Sequence, residues 1–280
     1  MVVWAANFVV VKASLDVLGP FTFTLLRYIV AALTLFGLLR WRTGAIRWPG
    51  KVGWRLLALG VLGIGGYQVC WSVGLTHVRA GDSALIIAAA PVFTALLAAV
   101  FRLDRLTIPK LAGALVAFTG VAIVVAQSSS ISIGASLGGD LLTLVASLLW
   151  ATYTVAGARI LQEVDALTAT TWSVLGGILF LAPFGIAEML TAPPAVITLG
   201  VVVSVVYSGS MAAAISIVVV MHGVSVIGPM RASSTQMLVP FGAVVLGAVF
   251  LREPILLGQI AGGIIIVIGL WLTRRRVGAS

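Results

Sequence analysis

The sequence predicts an all-α polytopic membrane protein in which ten transmembrane helices form two inverted five-helix repeats around a central cavity. Three observations lead there. Of its 280 residues, 61% are hydrophobic and 9% charged, with a mean hydropathy of +1.19, whereas a soluble domain carries roughly 25% charged residues because its surface faces water. The apolar residues fall into ten continuous runs bounded by glycine, proline or charge, each near the roughly 20 residues that one bilayer crossing needs. The second half of the chain then echoes the first. Continuous runs, without the two-residue alternation of barrel strands, select helices over a β-barrel.

Taken in order, the first run, 1–17, stops at Gly19-Pro20; it has neither a basic leader nor a small-residue cleavage pattern, so it reads as a retained helix and not a signal peptide. The second, 21–40, starts after that proline and ends in Arg40-Trp41-Arg42. The third, 54–76, follows Pro49-Gly50-Lys51 and carries Gly60, Gly63, Gly65 and Gly66 without the Lys-Ser/Thr of a nucleotide loop, which points to close helix packing. Runs 80–101 and 108–127 flank the charged stretch around Asp104 and Arg105; run 138–161 ends beside Arg159, and run 166–190 starts after Asp165. Pro193-Pro194 opens 196–221, Gly228-Pro229 opens 229–250, and Pro254 opens 255–273. The units are thus 1–127, an extracytoplasmic linker 128–137, a second unit 138–273 and a basic tail 274–280.

Basic residues set the orientation. Arg40, Arg42, Arg47, Lys51, Arg55, Arg102, Arg105, Lys110, Arg159 and Arg274 to Arg276 gather on one face, against Lys12, Arg79 and Arg252 on the other. The positive-inside rule then places both termini in the cytoplasm. Trp41, Trp48, Trp54 and Trp271 sit at the cytoplasmic ends as interface anchors. The net charge of +9 is explained by topology, since the basic residues form no groove or stripe for nucleic acid. Cys70, the one cysteine, is expected to be a buried, inert thiol.

The internal repeat is specific in its details. With an offset of 146, Trp4-Ala5 meets Trp150-Ala151, Thr22 meets Thr168 and Thr24 meets Thr170. After a slip of three, Gly74 meets Gly223, Pro91 meets Pro240, Asp104 meets Glu253, Gly113 meets Gly262 and Gly120 meets Gly269. An odd number of helices per unit inverts the second copy, and inverted repeats build transporters with a site at their interface near mid-membrane. Because Trp150 lies about twelve residues into its helix and Trp4 near the start of its own, the native chain is expected to begin upstream.

With Arg27 early in the second helix, prolines Pro91 and Pro240 in the fourth helix of each unit, the acids Asp104 and Glu253 just after them and a glycine-spaced fifth helix, the chain resembles the EamA-type branch of the drug/metabolite transporter superfamily. The resemblance covers nearly the whole chain and is nearest to bacterial exporters of amino acids, aromatic ones included, and related metabolites. It implies a plasma-membrane location, ten helices around a cavity and a small-molecule substrate. Two departures stand out: Ser173 where the first unit has Arg27, and Asp104 where the family more often has Glu.

Candidate substrate-binding residues are Asn7, Tyr67, Trp71, Trp150, Tyr153, Tyr207, Ser210 and Gln236, polar or aromatic groups inside apolar runs. Such groups avoid lipid and turn to other helices or to a wet cavity. Gln68 and Ser208 belong to the same buried polar set. Pro91 and Pro240 are candidate hinges, because a mid-helix proline frees the carbonyl four residues earlier, here those of Ile87 and Gln236. Asp82 and Arg231 occupy equivalent helix starts; Asp82 suits the dipole there and is expected in interfacial water, while Arg231 opposes it and is the stronger candidate to meet a charged substrate group.

His77 and His222 have no neighbouring acids and make no metal site, and no cofactor motif is present. An intramembrane aspartyl protease lacks its second acid, and Ser210 and His222 lie too far apart along one helix for a serine hydrolase. The remaining partners are lipid and a small solute, with a monomer as the expected state and an oligomer not excluded. The function read from the sequence is export of small amphipathic metabolites, foremost amino acids including aromatic and hydrophobic ones, by alternating access. The rivals are a channel-like pore and a carrier of nucleotide or sugar derivatives. With every acid near a helix end, no proton relay offers itself, and facilitated export is the default.

The orientation is testable by labelling. In a variant with Cys70 replaced by serine, cysteines placed at Gly44 and at Gly278 should react with a membrane-impermeant maleimide only after the cells are permeabilised; labelling in intact cells contradicts cytoplasmic termini.

Overall fold

The computed structural model describes residues 1–15, 17–103, 107–129, 135–193 and 197–274. Among them are ten helical runs and no strand. These are α1 (Val2–Ser14), α2 (Pro20–Thr43), α3 (Lys51–His77), α4 (Ala80–Val100) and α5 (Ile108–Ser129) in the first half, then α6 (Ala135–Ile160), α7 (Ala166–Thr191), α8 (Leu199–Ile227), α9 (Pro229–Phe250) and α10 (Leu257–Arg274) in the second. Eight are long and apolar enough to cross a bilayer; α1 and the apolar part of α10, Leu257–Leu272, are shorter than a full crossing. Expected and observed ends agree within a few residues, apart from α8, which runs on to Ile227. Asp104, Arg105, residues 130–134 of the linker and the tail beyond Arg274 lie outside the described residues.

Helix ends leave backbone N–H and C=O groups without intrahelical partners, and lipid supplies none. The chain answers with side chains from distant helices. Glu188, near the end of α7, accepts a hydrogen bond from the Thr22 amide at the start of α2 (2.7 Å). Lys12, at the end of α1, donates to the carbonyls of Leu75 (2.6 Å) and Val78 (2.8 Å) where α3 stops. Asp165 caps α7 locally through the amides of Leu167 and Thr168, as its place before an apolar run predicts. Each charge sits at the helix end whose dipole it complements.

Four helices are not regular. α3 passes through a π-helical segment at Val61–Gly66, and α8 through one at Ser208–Ile215. Shifted by 149, the first falls within the second. α4 unwinds at Ala88 and Ala89 just before Pro91. α9 tightens to a 3-10 turn at Thr235–Met237 just before Pro240. The prolines explain the last two, since a ring at that position removes one amide donor and clashes with the preceding turn. Glycines and small residues permit the π segments by letting neighbouring backbones approach: a Cβ on Gly60 would lie 1.8 Å from the Ser173 carbonyl oxygen, and one on Gly63 2.5 Å from Tyr153 Cβ.

α5 and α10 pack through glycine. A Cβ on Gly120 would lie 2.6 Å from the Gly262 carbonyl oxygen, one on Gly262 2.6 Å from that of Gly120, and one on Gly269 2.6 Å from that of Gly113. Gly113 therefore faces Gly269 and Gly120 faces Gly262, so the two helices run antiparallel. The four glycines are two pairs of repeat mates, each meeting the other copy's partner. Outside the bundle, Leu33, Leu115, Leu190 and Leu199 are exposed, an outer surface suited to acyl chains and not to water. Trp41, Trp48, Trp54 and Trp271 are likewise exposed. Cys70, expected to be buried, is half-buried.

The crossing predicts a sharp positional contrast. Gly262→Val should destabilise the purified protein by about 1–3 kcal/mol through backbone overpacking. Gly37→Ala, on an open face of α2 with nothing within 4 Å, should change stability by under about 1 kcal/mol. Thermal unfolding in detergent, followed by circular dichroism, checks both.

Candidate functional site

A cavity enclosing about 740 Å3 of empty space, part of it open to solvent, lies between the two halves. The first half lines it with Trp4, Asn7 and Phe8 of α1, Arg27 and Tyr28 of α2, Tyr67, Gln68 and Trp71 of α3, and Ala84, Ile87, Ala88 and Pro91 of α4. The second contributes Trp150 of α6, Ala212, Ala213 and Ile217 of α8, and Gln236, Val239 and Pro240 of α9. The irregular stretches of α4, α8 and α9 all reach this lining, and Tyr67 follows directly on the π segment of α3. Loosened backbone is tolerated at membrane depth only where protein or a wet cavity covers it.

The polar part is built around Arg27, which is 2% exposed. Its guanidinium donates from Nη1 to Ser208 Oγ (2.9 Å) and from Nη2 to Gln68 Oε1. Ser208 in turn donates to Asn7 Oδ1 (2.6 Å), and Gln68 Nε2 donates to the Tyr28 hydroxyl (2.9 Å). The guanidinium carbon also stands 5.2 Å from the ring centres of both Tyr28 and Trp71, within cation–π range. Every partner is neutral. Among the described residues no carboxylate lies within ion-pair distance of Arg27, although a buried charge is costly unless paired.

Aromatic rings form the opposite character. Trp150 meets Trp4 edge to face at 5.7 Å, Tyr67 at 5.6 Å and Tyr153 at 5.5 Å; Trp71 stacks on Tyr67 at 6.2 Å and meets Phe8 edge to face at 5.3 Å. Trp4 donates its indole N–H to the Ala212 carbonyl in the π segment of α8 (3.0 Å), and Trp150 donates to Gln236 Oε1 (3.2 Å). Trp4 and Trp150 occupy equivalent positions in the 146-residue sequence register. Their contact joins the two halves across the cavity.

Of the residues singled out from the sequence, Asn7, Tyr67, Trp71, Trp150, Gln236, Pro91 and Pro240 line this space. Four others do not. Tyr153 packs behind Trp150 in the core. Tyr207 donates to the Val3 carbonyl (3.0 Å), holding α8 against α1, and Ser210 donates back to Val206 within its own helix (2.6 Å). Arg231 is exposed at the start of α9, as befits a cation in the first turn of a helix that gives it no dipole support. Beside Pro91 the freed Ile87 carbonyl is approached by Ser147 Oγ at 3.5 Å. Arg27, Trp4, Phe8 and Tyr28 were not among the sequence candidates for binding. An arginine in an apolar run is a placement costly enough to have marked Arg27; Trp4 stood out only as the register mate of Trp150, and Phe8 and Tyr28 carried no signal beyond apolarity.

Asp82 overturns its expectation of interfacial water. It is fully buried, accepting from Arg79 Nε (2.7 Å) and from Gln259 Nε2 of α10 (2.8 Å). Next to it, Glu253 accepts from the amides of Ala80 and Gly81 (2.9 and 3.4 Å), so an acid of the second half caps α4 of the first. Towards the other end of the bundle the cross-half ties include a buried hydrogen bond between the Thr94 and Ser233 hydroxyls (3.2 Å), Arg159 donating to the Phe101 carbonyl (2.6 Å), and the exposed pairs Arg55 with Glu163 (2.6 Å) and Arg42 with Asp165 (3.4 Å), the ion pairs being of a kind worth little. Among the described residues no cluster of three His, Cys, Asp or Glu is placed to hold a metal.

Comparison with known proteins adds relatives. Residues 1–126 and 137–275 each match the model of the EamA-like transporter family. The chain is 31% identical over 280 residues, 99% of its length and 91% of the relative's, to the "Probable terminal-alkyne amino-acid exporter" of Streptantibioticus cattleyicolor. It is 26% identical, over 97% of its length and 91% of the relative's, to the "Probable amino-acid metabolite efflux pump" of Salmonella typhimurium. A solved crystal structure at 19% identity superposes with a TM-score of 0.71, covering 99% of this chain and 95% of the other, which supports the fold.

Proposed function

Because the chain belongs to the EamA-like transporter family, and is therefore a multi-pass membrane transporter of the drug/metabolite superfamily, we propose that it exports small amphipathic metabolites, foremost amino acids with aromatic or other hydrophobic side chains. The observation that carries this reading is the cavity between the halves, whose lining combines aromatic walls with a hydrogen-bonded polar cluster around Arg27. Small-ligand sites combine apolar walls with few polar anchors in this way. Two relatives with amino-acid export or efflux in their names point the same way.

Alternating access is the mechanism we attach to it. The two family matches, the antiparallel glycine crossing of α5 with α10 and the meeting of Trp4 with Trp150 support an inverted pair of repeats, 1–127 and 138–273, whose interface is the site. Pro91 and Pro240 act as hinges where half a helix moves without unpicking the rest. Trp71, Trp150 and Tyr67 flank the solute, Asn7 and Gln236 bond its polar end, Tyr153, Tyr207 and Ser210 brace these walls, and Arg231 draws an anionic group towards the entrance. The end tied by Asp82 and Glu253 then faces outward in a bacterial plasma membrane, and must part to release the solute.

Proteoliposome flux tests the reading. Labelled L-phenylalanine or L-leucine should show saturable flux; Trp150→Phe and Gln236→Ala should lower it at least tenfold while unfolding temperature stays nearly unchanged. Ion current without saturable flux of any metabolite would replace the transporter by a pore.

A further inference from the structure

We infer that Arg27 is the docking point for the carboxylate of a monoanionic or zwitterionic solute whose apolar remainder packs on the surrounding rings; this rests on the transport reading. A guanidinium carries five N–H donors, and the protein gives Arg27 two side-chain acceptors, Ser208 Oγ and Gln68 Oε1. Its Nε is buried without a partner. Among the described residues that line the cavity, two further buried side-chain atoms lack partners, Trp71 Nε1 and Gln236 Nε2. All three are donors. Unmet side-chain donors around this space fit a group that accepts, and an ionised carboxylate only accepts.

Charge narrows the class. Arg27 is the single formally charged side chain among the described lining residues, with no acid beside it, so a bound monoanion leaves the site neutral. A phosphate dianion would leave it negative, and an amine without a carboxylate would add a second positive charge in a low-dielectric space. The planar fork of arginine also matches a carboxylate edge, giving two parallel charge-assisted bonds. Ser208 and Asn7, on helices of opposite halves, hold the guanidinium through one chain of hydrogen bonds, while Gln68 and Tyr28 hold it through another. These four are positioning residues. They fix the fork without neutralising it.

The test is a ligand series on the purified full chain, read by quenching of its tryptophan fluorescence. 3-Phenylpropanoate and L-phenylalanine should both bind, while L-phenylalanine methyl ester, phenethylamine and phenyl phosphate bind at least tenfold more weakly than either. Arg27→Gln should erase that preference and Arg27→Lys should restore part of it; the wild-type series alone decides the matter if the glutamine variant does not fold. Equal binding of ester and acid, tighter binding of phenyl phosphate, or an unchanged preference in Arg27→Gln overturns the assignment. Saturable flux of phenethylamine with no binding of either carboxylate overturns it while leaving the transporter reading intact. If no compound of the series binds and no amino acid is moved, both readings fall together.

Discussion

In a bilayer no solvent completes the hydrogen bonds of an interrupted helix, and this constraint organises the molecule. Regular helices face outward, where Leu33, Leu115 and Leu190 meet the acyl chains. The interruptions are turned inward: the break before Pro91, the tightened turn before Pro240 and the π segments of α3 and α8 lie at or beside one cavity. There the loosened carbonyls find side chains, as Ala212 finds the Trp4 indole. The cavity is therefore the place where irregular backbone is admissible, and the same irregularity lets neighbouring side chains aim into it.

A second consequence concerns polar groups. Without a hydrophobic force between helices, association depends on close packing and on hydrogen bonds. Glu188, Lys12 and Glu253 each place a charge at the end of a helix that another part of the chain supplies, while Asp82 meets Arg79 and Gln259. Arg27 differs from them. Its partners are neutral, so the site retains an uncompensated field that the helix-end charges do not have.

Much of the fold was legible in the sequence and less of the site. Hydropathy and helix-breaking residues located the ten runs, because burial in lipid acts on every residue of a span. The 149-residue register singled out Gly113, Gly120, Gly262 and Gly269, which meet crosswise, Gly113 against Gly269 and Gly120 against Gly262. Asp82 was misread because a helix start looks wet from sequence; Gln259 and Glu253, more than 170 positions away, enclose it. Trp4 entered the sequence reading only as the register mate of Trp150, and its ring meets that residue edge to face. Periodicity reports which face is buried, and it carries no information about which distant residue arrives there.

The glycine crossing of α5 with α10 bears on how the protein is made. α5 closes the first half and α10 follows at the far end of the second, so this close backbone approach between the halves joins segments about 140 residues apart. Until α10 is made, the Gly113 and Gly120 face of α5 lacks the glycines that pack against it. Biogenesis must keep that seam open for a long interval. An early, fortuitous partner for the same glycine stripe, such as a neighbouring nascent chain, competes for it during the wait.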